Sequence, residues 1–493
     1  YLVYFFFFLK EQYNTFFLKI QMYFTYLKIY AFLFLSLFSA FLTSAQVKNV
    51  KKGAPYIQKI HLNKFGIENK NLSITQDTNG IIIIGNSNGV LQYNGNEWNI
   101  TDTRGIPVIT KNENNDVLIG QYGDIGMLKY KRSKAIIESL FDSLSVSPIY
   151  KQIQQIVALR DTVYFTTNSK LYALASSGLK TIIQEPGVKI FSHDSLYIYR
   201  KNTGVYKYHQ GKLEPWFKTS GLNGALIELI YWNGKFMFST SNNQIYRVKD
   251  KKPIPLQSQA DSYLSRHMIS DLCPINAELM AIGTHSGGIV LINDSGEIVN
   301  VLNKSANLFD AQINTLFLDQ NYNLWALHND GISRIELSSG ISYYSDKNGI
   351  KGNVNSIKQH GGILYLATSQ GVYFLEDHTR EIGEPVQFKK IKSLNANCYK
   401  FHTFGNLLIT VTDKGAYTIK DNRAVLFNNK FKGKYTSSHN YKNIKKYFMV
   451  GDHKGLFLVK YSNGLFVHKG RFPKIENKVT SIAEDNDGHL WVV

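Results

Sequence analysis

The stretch that decides the fold is Ser73-Ile-Thr-Gln-Asp-Thr-Asn-Gly-Ile-Ile-Ile-Ile-Gly-Asn-Ser-Asn-Gly-Val-Leu-Gln-Tyr93. It reads as a short apolar strand, a polar turn, a second apolar strand, a turn ending in Gly, and a third strand. The pattern returns in Ile313-Asn-Thr-Leu-Phe-Leu-Asp-Gln-Asn-Tyr-Asn-Leu-Trp-Ala-Leu-His-Asn-Asp-Gly-Ile332 and starts again in Val479-Thr-Ser-Ile-Ala-Glu-Asp-Asn-Asp-Gly-His-Leu-Trp-Val-Val493. Working outward, the Gly that opens the third strand is a ruler. It stands at Gly89, Gly126, Gly204, Gly288, Gly331, Gly371, Gly415 and Gly455, with Lys170 and Gln244 in its place in two weaker copies. From Gly89 to Gly455 is 366 residues over nine steps, about 41 per step. One more step passes residue 493, so the sequence is expected to stop inside an eleventh copy.

A repeat of about 40–45 residues with four short strands is the blade of a β-propeller. The expectation is therefore an all-β fold: one complete seven-bladed ring over residues 46–345 and the first blades of a second, incomplete ring over 346–493. In the first copy, strands A to D are expected at residues 73–76, 81–85, 90–93 and 97–101. Asp77, Asp319 and Asp485 begin A–B turns, where an Asp side chain bonds backbone N–H groups two residues on. Gly80 lies in the first such turn. Asn94-Gly95 is a hairpin signal between strands C and D. The Gly opening strand C marks a backbone position that disfavours a Cβ. Trp98, Trp325 and Trp491 are large strand residues able to fill the space between blades.

Composition agrees with this reading. The chain of 493 residues is 44% hydrophobic and 13% aromatic, with 37 Gly and 10 Pro, which excludes a disordered or collagen-like polymer. The formal charge of +19 raises nucleic-acid binding as a possibility. The lysines are scattered, however, and the basic clusters are short: Lys51-Lys52, Lys249-Asp250-Lys251-Lys252 and residues 442–446. No arginine-rich stripe is present, so no nucleic-acid partner is expected in this region. Cys273 and Cys398 exclude a disulfide framework and read as small buried apolar residues. No Cys/His metal spacing is present, and no metal or cofactor is expected.

Residues 1–45 read as a signal peptide with an upstream extension. Met22 is the first Met, Lys28 supplies a positive charge, and residues 29–42 are apolar apart from Ser36 and Ser39. Thr43-Ser44-Ala45 gives small residues before a cut, making Gln46 the first mature residue. The alternative is an uncleaved anchor. Either way the remainder is expected outside the cytoplasm.

Asp-x-x-Gly-x-Leu-Trp, as in Asp485-Asn-Asp-Gly-His-Leu-Trp491, and Gly-Thr-x-x-Gly-Gly-Ile at residues 283–289 resemble the two-component regulator propeller repeat. The first copy adds Gln76-Asp-x-x-Gly80, Gly85-Asn-Ser-Asn-Gly-Val90 and Tyr93-Asn-Gly-Asn-Glu-Trp98, which look like the N-terminal sensor propeller of such regulators. The resemblance spans about residues 50–493. Departures from it are a short A–B turn at Arg160-Asp161, Lys170 and Gln244. It implies a periplasmic double propeller, followed in whole proteins by a three-tyrosine immunoglobulin-like domain, a membrane helix and a cytoplasmic histidine kinase or DNA-binding output. Homodimerisation would then run through those downstream regions.

No nucleophile elbow, phosphate loop, dinucleotide fingerprint or zinc-helix motif is present. The expected function is a non-catalytic extracytoplasmic ligand-sensing region; alternatives are a propeller lyase or glycosidase acting on polysaccharide, or an adhesion scaffold. B–C turns lie on one face of a propeller, where varied side chains cost the fold least. Tyr122, Arg200, His285 and His328 fall at or near such turns, with His453 in a later copy, and are the candidate ligand contacts. The expected ligand is a carbohydrate or another small extracellular molecule.

Overall fold

A computed structural model describes residues 53–493 apart from 68–69, 133, 202, 223, 330, 377–381, 405, 429–436, 441–446 and 463–464. The N-terminal segment read as a signal peptide lies outside the described residues. Blade 1 has strand A at Asn71–Gln76, B at Ile82–Asn86, C at Gly89–Tyr93 and D at Trp98–Thr101, antiparallel in that order. Strand B is buried along its whole length. Its alternate residues face different neighbours: Ile82 and Ile84 pack with Trp325 and Leu327 of blade 7, while Ile83 packs with Val117 and Ile119 of blade 2. A strand covered on both faces has no wet side, and this explains an unbroken Ile run in place of alternation.

Five more four-stranded blades follow. Blade 2 runs from Val108–Lys111 to Lys134–Ser139, blade 3 from Gln155–Leu159 to Gly178–Ile183, and blade 4 from Lys189–Ser192 to Lys212–Lys218. Blade 5 runs from Leu226–Trp232 to Lys252–Pro255 and blade 6 from Ile269–Pro274 to Ile298–Leu302. Blade 7 is made differently. Its A, B and C strands are Thr315–Leu318, Asn323–Leu327 and Ile332–Glu336, and its outer strand is Tyr56–Ile60, from the other end of the ring. Thr315 Oγ1 donates to the Leu72 carbonyl at 3.1 Å, so blades 7 and 1 meet and the seven-bladed ring is closed. Three more four-stranded blades, beginning at Val354–His360, Cys398–Phe404 and Ser437–Asn440, open a second ring, followed by the pair Ile482–Glu484 and Leu490–Val492. No helix among the described residues is long and apolar enough to cross a membrane.

The ruler glycines have a common cause. A Cβ on Gly89, Gly204 or Gly288 would run into the carbonyl oxygen of Thr101, Phe217 or Leu302 at the end of the same blade's strand D. Gly288 also has φ +79°, where an L side chain is strained. Blade 2 corrects the ruler. Its strand C starts at Asp124, paired with Gln121, so Gly126 sits two residues inside the strand and Gly123 takes the positive φ. Asn94-Gly95 is part of a four-residue C–D turn in which Asn94 Oδ1 accepts the N–H groups of Asn96 and Glu97.

The turn aspartates do what the sequence predicts, and more. Asp319 Oδ1 accepts from the N–H groups of Asn321 and Asn323, and its Oδ2 accepts the Trp325 indole N–H at 2.8 Å. Asp485 repeats the arrangement with Asp487, His489 and the Trp491 indole. Asp77 lacks a Trp six residues on and accepts Asn79 and Ile81 N–H groups alone from its own turn. Trp325 is buried and fills the space toward blade 1, and Trp98 stacks on Tyr93 at 4.7 Å. Trp491 departs from expectation: it keeps the Asp bond but is 65% exposed, since no described blade packs over it. Cys273 and Cys398 are free and buried, and burial pushes both thiols up, Cys398 to about 12.

Replacing Trp325 by Ala removes a buried indole and one of the two donors to Asp319 Oδ2, leaving Asn323 Nδ2 as the other at 2.9 Å. The expected loss is about 3–5 kcal/mol of unfolding free energy, against about 0.5 kcal/mol or less for Trp491→Ala. Denaturant melts of the two variants check this contrast; equal effects would contradict the packing described.

Candidate functional site

Three B–C turns share a lock. Thr284, at the end of strand B in blade 6, donates its hydroxyl to the Gly288 carbonyl at 2.8 Å and accepts the Gly287 N–H at 2.9 Å. Thr368 and Thr412 make the same pair of bonds in the first two blades of the second ring. The backbone of each turn is fixed from below, and the side chains between are left to vary.

The candidate contacts are spread over different blades. Tyr122 and Gly123 form the two-residue turn of blade 2. The Tyr122 ring is exposed, and its hydroxyl donates to the Tyr150 carbonyl at 3.1 Å. Arg200 ends strand B of blade 4, but its guanidinium already grips Glu185 at 2.7–2.8 Å and lies 5.4 Å over the Tyr206 ring. An anionic ligand would have to displace Glu185. His285 is exposed in the blade 6 turn, and His453 is exposed in the third blade of the second ring. His328 is a correction. It is fully buried, with Nδ1 2.8 Å from the Gln312 carbonyl and Nε2 2.8 Å from Ser333 Oγ. It occupies the place that Thr284 holds in blade 6, but its ring ties Gln312 to Ser333 of strand C and does not face a ligand.

A cleft of about 1000 Å³ lies beside Tyr122, between blades 1 and 2. Asp102, Arg104, Gln121, Asp124, Arg132 and Asp142 line it, together with Ser139, whose hydroxyl donates to Asp124. Sequence reasoning missed it because its walls come from the D–A connection 102–107 and the outer strands, which carry no repeat signature. Gln121 Oε1 accepts the Arg104 N–H at 3.0 Å, tying that connection to the end of strand B.

A second feature missed from sequence is a polar girdle on the A strands. At matched register, side chains reach the backbone of the next blade's A strand or its entry. Ser73 donates to the Pro107 carbonyl, Gln155 accepts from Ile190 N–H, and Lys189 Nζ donates to the Ile227 carbonyl. Asp271 accepts from Leu316 N–H, and Thr315 donates to the Leu72 carbonyl. Strand A bulges at this point in blades 1, 5 and 6, which re-aims the side chain. Blades 4, 5 and 6 place charged groups here: Lys189, Glu228 and Asp271. Burial first, and then the Asp271 charge, holds the Glu228 carboxyl well above the usual carboxylate range, while Lys189 opposes this. Asp271 is also raised by burial, against the pull of the Leu316 and Leu272 N–H groups. Burial lowers Lys189.

Residues 473–493 match the family model for the two component regulator propeller. The two component regulator propeller repeat is thus carried by residues 473–493. Among solved structures, the chain is similar to the extracellular domain of the hybrid two component system BT3049 from B. thetaiotaomicron. That likeness has 16% identity and a TM-score of 0.59, and covers 89% of this chain and 64% of that one. The extracellular domain of the one component system BT4673 from the same bacterium is 15% identical with a TM-score of 0.47, over the same shares. A virginiamycin B lyase from Staphylococcus aureus is 12% identical with a TM-score of 0.42, over 57% of this chain and 99% of its own. The chain thus spans 64% of the length of the two B. thetaiotaomicron domains, and BT3049 shares its fold. No curated protein matches the sequence. The Asp485–Trp491 bond lies inside the matched residues, and the Asp319–Trp325 bond repeats its geometry in blade 7.

The girdle gives a pH prediction. The folded state holds the Glu228 proton more tightly than the unfolded chain does, so stability is expected to fall as pH rises from about 4.5 through neutrality. Glu228→Gln should flatten that slope and melt higher than wild type at pH 8, with little difference at pH 4.5. Thermal melts across this range check it; an unchanged slope would contradict the burial argument.

Proposed function

We propose that this chain is the extracytoplasmic, ligand-sensing propeller region of a transmembrane signalling or transcription-regulating protein, and that it binds its ligand without turning it over. The observation that carries the reading is the polar cleft beside Tyr122, set on a closed ring whose turn backbones are locked by internal hydrogen bonds. The regulator propeller repeat at residues 473–493 supports the signalling context. The export-like segment at residues 22–45 supports a place outside the cytoplasm, with attachment to the inner membrane in the whole protein.

The cleft's chemistry favours a carbohydrate. Arg104, Arg132 and Lys134 line it together with Asp102, Asp124 and Asp142, so donors and acceptors are mixed and neither sign dominates. A neutral polyhydroxylated ligand uses both kinds of group, and the exposed Tyr122 stands in the chain between Gln121 and Gly123, two of the lining residues. A sensor also requires the ligand to favour one arrangement of the region over another.

The test incubates purified protein with a panel of oligosaccharides and measures binding by calorimetry and products by chromatography. Tyr122→Ala is expected to weaken binding about tenfold or more, equivalent to about 1.4 kcal/mol, while changing stability by about 0.5 kcal/mol or less. Arg200→Ala is expected to bind as wild type, since Arg200 is engaged by Glu185. Products from any member of the panel would replace sensing with catalysis, and undiminished binding by Tyr122→Ala would remove the cleft from the account.

A further inference from the structure

One connection breaks the pattern of the blades. The C–D connections of blades 1–6 span two to four residues, and so do those of the second and third blades of the second ring. In the first blade of that ring, strand C ends at Leu375 and strand D starts at Phe388, leaving twelve residues between them. A hairpin needs two to five. The extra length has a destination in residues 382–387.

Ile382 packs on the core cluster of blades 5 and 6, which includes Ala260, Tyr263 and Leu264 in and beside the short helix Asp261–His267 that leads into blade 6. Asn303, between blades 6 and 7, donates its side-chain N–H to the Gly383 carbonyl at 2.7 Å. Gly383 lies so close to the Tyr263 ring that a Cβ there would stand 3.0 Å from it. The segment is held from its own side as well: Asn348 donates to the Val386 carbonyl at 2.8 Å, and Gln387 Nε2 donates to the Lys347 carbonyl at 3.1 Å.

Tyr263 has a second connection. Its hydroxyl donates to the Gly287 carbonyl at 2.7 Å, inside the B–C turn of blade 6 that carries His285. The His267 ring, 4.3 Å from the Tyr263 ring, is bonded to Ser286 Oγ of that same turn at 2.9 Å. One aromatic side chain therefore touches both the segment arriving from the second ring and a loop on the exposed face of the first.

We infer that residues 382–387 are a strap that docks the second ring on the closed ring, and that Tyr263 is the joint through which the strap and the blade 6 turn sense one another. Tyr263 is a positioning residue in this role. Its packed ring fixes the strap, and its hydroxyl fixes the turn. A change in either should be felt at the other. The inference needs no ligand and stands apart from the sensing proposal, and its test uses none.

Hydrogen exchange read by mass spectrometry on the whole chain decides the matter. Gly383→Val places a branched side chain against Tyr263, and Asn303→Ala removes the hydrogen bond with no added bulk. Each is expected to speed exchange in residues 382–387 and also in residues 284–288, about tenfold or more in both. Tyr263→Phe keeps the ring and drops the hydroxyl; it should speed exchange in 284–288 and cut the extra effect there of a second change at Gly383. If Gly383→Val fails to fold, Asn303→Ala carries the test. Faster exchange confined to 382–387 in the Gly383 or Asn303 variants would overturn the joint, leaving a passive surface contact.

Discussion

The ring depends on one strand pairing. Tyr56–Ile60 lies antiparallel to Ile332–Glu336 in a register of five matched pairs, Tyr56 with Glu336 through Ile60 with Ile332. Without it the outer edge of strand C in blade 7 would expose unpaired backbone groups. The apolar consequence is as large. Ile57 is buried in the cluster shared by blades 6 and 7, and Ile60 in the cluster shared by blades 7 and 1. Five residues thus seal both sides of the last blade, and they come from a point in the chain that precedes blade 1.

Closure makes the other features possible. With every blade wedged between two neighbours, strand B of each is covered on both faces and its residues serve alternating partners. The A strands then lie side by side, which lets a side chain in blades 1, 3, 4, 6 and 7 reach the next blade's backbone and form the girdle. Thr hydroxyls lock the turns of blade 6 and of the first two blades of the second ring, and in blade 7 the buried His328 ring ties Gln312 to Ser333. What remains free to differ between blades is the outer rim: turn side chains, D–A connections, and one long C–D connection. The cleft and the strap are both found there.

Much of this was legible in the sequence, and the reasons for the exceptions are physical. Period, strand order and the Gly before strand C could be read because each repeats a local constraint: the Asp-held turn, the carbonyl that a Cβ would strike, the doubly covered strand. The closing strand could not, because Tyr-Ile-Gln-Lys-Ile has no partner within 270 residues of itself. Gly126 misled because blade 2 opens strand C with Asp124 and moves its positive φ to Gly123. His328 misled because a histidine in a turn looks solvated; that it replaces a locking Thr is evident only when the blades are superposed by pairing. The cleft beside Tyr122 left no signal, since its walls belong to connections that do not repeat.

The closing strand is tested most directly by a crosslink across its register. Gln58 stands opposite Arg334, and opposed residues in an antiparallel pair lie within disulfide reach. Native Cys273 and Cys398 are buried and free, so they should not compete. Under mild oxidation, the variant with Gln58→Cys and Arg334→Cys should form its disulfide nearly completely, as read by mass spectrometry of digests. A second variant with Lys59→Cys and Arg334→Cys, one residue out of register with side chains on opposite faces, should remain reduced. Crosslinking in the second pair, or in neither, would contradict the closed ring.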